Sequence, residues 1–258
     1  MPKFAANLTM LFTEVPMLDR PDLAVQAGFD GVEVLFPYDH PIATWQNALA
    51  GGALILLNTH PGDWAAGERG FAAVQGASAA FQDSFLRAAD YARALGAPRV
   101  HVMAGAAAGA MAEATYLQNL AWAAATAPDL TLVLEPLNPD DMPNYFLNDY
   151  DQAARMIDDL GAENVKLQFD LWHAAKIHGN AWDVWLRHFG VIGHVQIAGF
   201  PLRQEPGGGG FDLLQLCDAV GAGAGGGWLA AEYRPARATV HGLAWLSALK
   251  SRQQLIGA

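Results

Sequence analysis

The stretch Leu130-Thr-Leu-Val-Leu-Glu135 is a short apolar run that ends in a carboxylate, and runs of this kind set the pattern of the chain. They recur at intervals that are filled by Ala-rich segments of helical character. This alternation is typical of buried parallel strands covered by helices. We count eight runs, at residues 3–8, 31–35, 53–58, 99–103, 130–135, 165–170, 191–197 and 228–232. Eight parallel strands predict a (β/α)8 barrel.

The segments between the runs support a closed barrel. Apolar residues at spacings of three and four predict amphipathic helices at residues 79–95, 111–125, 150–160 and 243–250. The alternation continues to the end of the chain, and no GxGxxG follows an early strand, which favours closure over an open doubly wound sheet. The 258 residues match the length of about 250 at which one barrel closes. We therefore predict a single (β/α)8 TIM-barrel domain over residues 1–258.

Composition narrows the possible partners. The formal net charge is -11 and only 15 residues are Lys or Arg, so the chain would repel a nucleic-acid backbone, and we expect no nucleic-acid partner. Hydrophobic residues make up 52% of the chain, which excludes intrinsic disorder. The single cysteine, Cys217, rules out an internal disulfide. With no signal-like start and no apolar run of about 18 residues, we expect a cytoplasmic protein without membrane contact. A homo-oligomer is compatible with this fold.

Four consecutive runs in the second half end in oxygen-bearing side chains. These are Glu135, Asp170, Gln196 and Glu232. The carboxyl ends of barrel strands carry the catalytic groups, so the four side chains meet at one mouth. Three carboxylates there repel one another unless a cation lies between them or some are protonated. An all-oxygen set suits Mg2+ or Mn2+ better than zinc, and we predict a divalent metal site.

Two of these carboxylates suit a proton shift. One can remove a proton from the carbon beside a carbonyl, and the other can return it to the neighbouring carbon. A divalent ion would act as a Lewis acid on the substrate oxygens. We therefore predict an isomerase of a small hydroxy-carbonyl acid in which Glu135 and Glu232 transfer the proton through an enediolate. Which glutamate removes the proton is left open.

Two further residues are candidates for contact with the substrate. His173 follows Asp170 by three positions and is either a further metal ligand or a hydrogen-bond donor to the substrate. Arg203 follows the seventh run, and a guanidinium matches a carboxylate bidentately. We predict that Arg203 binds the substrate carboxylate, with an exposed loop charge as the alternative.

The segment after the third run offers two weaker candidates. Arg69 is the second choice for the substrate carboxylate, with a structural ion pair to Glu68 or Asp63 as the alternative. Trp64 is predicted to wall the pocket, although packing at the rim explains a tryptophan there equally well.

Three segments of the first half resemble hydroxypyruvate isomerase. They read Asn7-Leu-Thr-Met-Leu-Phe12, Gly31-Val-Glu-Val-Leu-Phe-Pro-Tyr38 and Gly62-Asp-Trp-Ala-Ala-Gly-Glu-Arg-Gly70. The resemblance continues through Leu134-Glu-Pro-Leu-Asn138, Gln168-Phe-Asp-Leu-Trp-His173 and Glu232-Tyr-Arg-Pro235, and it covers nearly the whole chain.

This resemblance implies a fold, a reaction and a set of site residues. The family is similar to the wider xylose isomerase-like group of barrels, and its reaction interconverts hydroxypyruvate and tartronate semialdehyde. Carried over by position, its acid-base glutamates are Glu135 and Glu232. Its metal ligands are those two residues with Asp170 and Gln196.

The chain departs from the family in the loop after the seventh run. Family members commonly read Glu-Pro-Gly-Thr-Gly-Glu, whereas this chain reads Glu205-Pro-Gly-Gly-Gly-Gly210 and lacks the final glutamate. The substrate therefore stays open, with a 2-oxo-tetronate or another longer 2-oxo acid as the alternative and a sugar epimerase further away. Two other classes are a phosphodiesterase for damaged DNA, with His60 and His101 as zinc ligands, and a non-catalytic sugar-acid binding protein. The acidity of the chain argues against the phosphodiesterase.

Overall fold

The computed structural model describes residues 2–49, 52–207 and 212–256. Its eight parallel strands close into one barrel in chain order. They are β1 (Lys3–Asn7), β2 (Gly31–Glu33), β3 (Ala53–Asn58), β4 (Arg99–His101), β5 (Thr131–Leu134), β6 (Val165–Asp170), β7 (Ile192–Ile197) and β8 (Trp228–Ala231). Each strand lies within one predicted run, so the predicted (β/α)8 barrel is confirmed.

Helices follow every strand and cover the outside of the barrel. They are α1 (Arg20–Gln26), α2 (Ile42–Ala48), α3 (Ser78–Leu95), α4 (Ala110–Thr126), α5 (Tyr150–Leu160), α6 (Leu171–His178), α7 (Ala181–His188), α8 (Leu213–Gly221) and α9 (Ala244–Ile256). The four predicted helices are present, and α9 extends beyond its predicted end. Within the described residues, none of these helices combines the length and the apolar character that crossing a membrane requires.

The connection from β6 to β7 holds two helices because the sequence breaks there. Gly179 ends α6 in the left-handed region, with a φ of 77°. Asn180 then begins α7, since its side-chain oxygen accepts a hydrogen bond from the backbone N–H of Trp182 at 3.0 Å. The first of the two helices starts directly from Asp170, whose carboxylate caps it by accepting from the N–H of Trp172 at 2.7 Å. Asp170 thus lies at the barrel mouth and also caps the first turn of α6.

The interior of the barrel is unusually polar. Barrel interiors are commonly filled with branched apolar side chains. Here a small apolar layer of Ala5, Ile55 and Ala230 lies inside the barrel. The residues Asn7, Glu33, Gln168, His194 and Gln196 are all buried and form a second, polar set. The carboxyl-terminal mouth of the barrel therefore lies above a layer of hydrogen-bonded polar side chains.

Candidate active site

The predicted site residues meet at the carboxyl-terminal mouth of the barrel. Glu135 directly follows β5, Glu232 directly follows β8, and Asp170 and Gln196 face each other in the register of β6 and β7. All four side chains are buried. A cavity of about 660 Å3 opens above them, and its lining includes Glu135, Glu232, His173, Arg203 and Trp64.

Three buried carboxylates share this mouth with the largely buried guanidinium of Arg203. Nη2 of Arg203 lies 3.2 Å from Oδ2 of Asp170 and 3.5 Å from Oε1 of Glu232. Burial raises the pKa of Asp170 to about 6 and that of Glu232 to about 8, although Arg203 opposes both shifts. Burial and then the charges of Glu232 and Asp170 raise the pKa of Glu135 well above its ordinary value. One largely buried guanidinium does not offset three buried carboxylates, and the second guanidinium on this cavity, that of Arg234, is exposed, so the mouth is electrostatically suited to a further cation.

The donor set fits a divalent metal ion. Oxygens of Glu135 and Asp170 and a ring nitrogen of His173 lie within 4.8 Å of one another. Oε2 of Glu232 is buried and accepts no hydrogen bond from any described residue. A buried carboxylate oxygen without a partner is costly unless a ligand meets it. Hard oxygen donors of this kind suit Mg2+ or Mn2+.

Gln196 lies in the buried polar set of the barrel interior. Its Nε2 donates to Oε2 of Glu33 at 2.8 Å, and its Oε1 accepts from Nε2 of Gln168 at 2.6 Å. An amide oxygen has two lone pairs, so Oε1 keeps one for a further contact. The proposed role of Gln196 as a metal ligand remains a prediction that this geometry allows.

His173 is held by the loop that follows β5. Its Nδ1 accepts from the backbone N–H of Asn138 at 2.9 Å, and Nε2 lies 3.7 Å from Oδ2 of Asp170. Burial lowers the pKa of His173 well below its ordinary value, and the charge of Arg203 lowers it further. The ring is therefore neutral, and its Nε2 side faces the carboxylates and the guanidinium of Arg203, whose Nη2 lies 3.5 Å away.

His101 is a site residue that the sequence analysis considered only as a zinc ligand. It ends β4, lines the cavity and places Nδ1 3.4 Å from Oε2 of Glu135. Burial lowers its pKa to about 3, so the ring is neutral. His60, the other zinc candidate, instead accepts from the N–H of Gly62 at 3.0 Å and does not line this cavity. In the described parts of the chain, the multi-histidine cluster does not form.

Arg203 is oriented into the site, and one of its donors is free. Its backbone oxygen accepts from the N–H of Arg234 at 2.8 Å, which ties the loop after β7 to the loop after β8. The Nε of Arg203 is buried and meets no acceptor among the residues the structure describes. Arg203 therefore keeps a donor for a ligand in the cavity.

Trp64 reaches the cavity, whereas Arg69 does not line it. The Trp64 ring is 43% exposed and packs near Phe36, with ring centres 6.1 Å apart. The Arg69 guanidinium lies 3.7 Å above the centre of the Trp64 ring. The expected pair of Arg69 with Glu68 or Asp63 is not the observed contact, because Arg69 donates to the backbone oxygens of Trp64 and Glu68.

Residues 208–211 lie outside the described residues, so the departure within Gly207–Gly210 has no structural account beyond Gly207. The adjacent Glu205 connects the same loop to the loop after β8, since its Oε1 accepts from the N–H of Ala236 at 3.1 Å.

The closed barrel with an acidic cluster at its mouth is typical of a (β/α)8-barrel enzyme that works on a small ligand. The chain belongs to the xylose isomerase-like TIM barrel family, whose model matches residues 21–249. It is 44% identical to a 2-oxo-tetronate isomerase from Cupriavidus necator, over 95% of this chain and 98% of that protein. It is 39% identical to the hydroxypyruvate isomerase of Escherichia coli, over 95% of this chain and 98% of that one.

A solved structure named as a family 2 AP endonuclease, from Brucella melitensis, has the same fold. Its TM-score is 0.91 at 39% identity, covering 96% of this chain and 99% of that chain. The isomerases that match nearly the full length identify this chain as an isomerase of the xylose isomerase-like family.

Proposed function

We propose that the chain interconverts hydroxypyruvate and tartronate semialdehyde by a metal-assisted proton shift. The observation that carries this proposal is the pair Glu135 and Glu232, two buried carboxylates with raised pKa on one cavity that also holds Arg203. The identity to a hydroxypyruvate isomerase supports the substrate. A 2-oxo-tetronate is the second candidate, supported by the 44% identical relative of that name.

The metal site of this proposal consists of Glu135, Asp170, Glu232 and the amide oxygen of Gln196. When bound, the ion supplies Lewis acidity to the carbonyl and hydroxyl oxygens of the substrate. Mg2+ and Mn2+ are the ions that match these donors.

The side chains of the protein then bind the substrate and move its proton. Arg203 holds the substrate carboxylate through its guanidinium, whose Nε meets no acceptor among the described residues. One glutamate removes a proton from the hydroxymethyl carbon, which leaves an enediolate, and the other glutamate protonates the adjacent carbon, which carried the ketone. The hydroxyl proton of the hydroxymethyl group passes to the former ketone oxygen, so the first carbon becomes the aldehyde and the second carries the hydroxyl group. Carboxyl groups with pKa values raised toward neutrality suit both steps. His173 donates from Nε2 to an oxygen that gains charge on the way.

Proton NMR in deuterium oxide tests this proposal. Hydroxypyruvate, a 2-oxo-tetronate and free sugars are each incubated with the protein, with and without chelator. We expect deuterium at the shifted position of one acid, loss of the exchange with chelator, and its abolition in Glu135→Gln and Glu232→Gln. Glu113→Gln, which removes an exposed carboxylate paired with Arg155, is the matched control. A near-normal rate in either site variant would show that the paired-carboxylate mechanism is wrong.

The same assay, together with a cleavage assay on DNA that carries an abasic site, separates the other classes. A non-catalytic binding protein would bind an acid without any exchange of its C–H protons. Cleavage of DNA with an abasic site would favour the phosphodiesterase, a class suggested by the name of the Brucella structure. The net charge of -11 and the position of His60 outside the cavity speak against that class. A cytoplasmic location and the oligomeric state remain predictions.

A further inference from the structure

A buried carboxylate that the proposed reaction does not use lies in the interior of the barrel. Glu33 ends β2, yet its side chain reaches β7 on the far side of the barrel. Oε2 of Glu33 accepts from Nε2 of Gln196 at 2.8 Å and from Nδ2 of Asn7 at 3.2 Å. Oε1 is in contact with Nε2 of His194. All four side chains are fully buried.

The carboxylate of Glu33 sets the orientation of two side-chain amides, those of Gln196 and Gln168, which form a hydrogen-bonded row with it. A carboxylate only accepts hydrogen bonds, so the group of Gln196 that faces it must be the NH2. The carbonyl oxygen of Gln196 must then point the other way, where Nε2 of Gln168 donates to it at 2.6 Å. The two ends of an amide have nearly the same shape, so without Glu33 the row could also run in reverse. Glu33 therefore decides that Gln196 turns its NH2 toward β2 and its oxygen toward Gln168 on β6, and this oxygen keeps a second lone pair for a further contact.

This direction matters because Gln196 faces Asp170 in the register of β6 and β7. In the reversed row Gln196 would present an NH2 group where its oxygen now lies, beside Asp170, and an NH2 group has no lone pair for a metal ion. Burying a carboxylate for packing alone is unfavourable, since an apolar side chain of similar volume would stabilise the barrel at least as well. A polar residue kept at such a position suits a role in orienting its neighbour.

We propose that Glu33 is a positioning residue, which holds the Gln196 amide so that its oxygen is available to the divalent cation. This inference rests on the metal site of the proposed function. Residues that orient a metal ligand commonly change metal affinity by about 10- to 100-fold when they are replaced.

Titration calorimetry of the metal-free protein with Mn2+ tests the inference without an activity assay. Glu33→Gln keeps the shape of the side chain but can donate as well as accept, so we expect the Kd for Mn2+ to rise about 10-fold or more. In a Gln196→Ala background the same change should add less than about twofold, because Glu33 acts through Gln196. Lys250→Gln, which removes an exposed charge paired with Asp30, is the control.

A swapped variant keeps the test decisive if Glu33→Gln does not fold. Glu33→Gln combined with Gln196→Glu conserves the charge and the hydrogen bonds, and it places an oxygen toward the cation in either orientation. We expect its Kd for Mn2+ to lie within about threefold of the original value. Equal Kd values for the original chain and Glu33→Gln would overturn this inference but not the proposed metal site. A folded double variant that binds Mn2+ poorly would have the same consequence. An original chain that binds no Mn2+ would overturn the metal site and this inference with it.

Discussion

Nδ1 of His173 accepts a hydrogen bond from the backbone N–H of Asn138 at 2.9 Å. A backbone N–H can only donate, so Nδ1 carries no proton and the neutral ring is protonated on Nε2. A protonated Nε2 has no lone pair for a metal ion. We therefore expect His173 to serve as a hydrogen-bond donor, although it lies within the possible metal cluster of Glu135 and Asp170.

Replacing His173 with Ala should reduce catalysis and spare metal binding. Loss of one hydrogen bond to a charged group costs about 1.5–3 kcal/mol, so we expect kcat/KM to fall by about 10- to 150-fold. The Kd for Mn2+ should change by less than about twofold. His178→Ala, on the same helix but paired with Asp149, is the control in both measurements. Loss of Mn2+ binding in His173→Ala would instead make His173 a ligand.

Replacing Arg203 should raise the KM for the acid substrate. We expect Arg203→Ala to raise KM by about 10- to 150-fold, because a charge-assisted hydrogen bond to the carboxylate is lost. Arg203→Lys should recover only part of the affinity, since an ammonium lacks the planar fork of a guanidinium. Steady-state kinetics measure both variants, with the exposed Arg187→Ala as control. An unchanged KM in Arg203→Ala would remove Arg203 from the carboxylate site.

The strand ends show how much of the site could be predicted from the sequence. Glu135, Asp170 and Glu232 were found because each of them ends its apolar run, and Gln196 because only Ile197 follows it in its run. Glu33 and His101 also end strands, but apolar residues follow them, and the predicted runs extended to residues 35 and 103. The residues just beyond β2 and β4, such as Val34 and Val102, are buried although they lie outside the strands. Because these buried loop residues are apolar, nothing in the sequence indicates that β2 and β4 end at Glu33 and His101.

The contacts between distant segments could not be predicted from the sequence. Glu33 and Gln196 are 163 positions apart, and their hydrogen bond follows from the closure of the barrel and the register of its strands. The position of Arg69 over Trp64 likewise depends on the path of a loop rather than on any periodicity. Local patterns predicted the elements and the ends of several strands, but not which side chains meet across the barrel.

Trp64 and Arg69 should differ in their effect on substrate binding. Trp64 lines the cavity and offers an apolar face to the substrate. We expect Trp64→Ala to raise the KM for the acid by about tenfold, because about half of the free energy of burying an aromatic side chain would be lost. Arg69 does not line the cavity, and Arg69→Ala should change KM by less than about threefold. The two variants form a matched pair in steady-state kinetics. A larger effect of Arg69→Ala would restore Arg69 as the anchor for the carboxylate.

The stability of the metal-free protein should depend on pH through the carboxylates of the mouth. Burial raises the pKa of Glu232 from its ordinary value of 4.5 to about 8 and that of Asp170 from 3.8 to about 6. The folded chain thus holds these protons more tightly than the unfolded chain. The stability that they contribute is fully present below the ordinary pKa values and is lost as the pH rises through the folded values.

We therefore expect the Tm of the metal-free protein to fall between about pH 5.5 and pH 8.5, by about 2–4 °C for each kcal/mol lost in a domain of this size. Saturating Mn2+ should raise the Tm by more at the higher pH than at the lower pH, because the ion binds the deprotonated carboxylates of the folded state. Thermal unfolding followed by circular dichroism measures both effects. Glu232→Gln should have a shallower pH dependence, since it removes one titrating group. A Tm that rises over this pH range without metal would mean that the carboxylates are ionised and stabilised by the site itself.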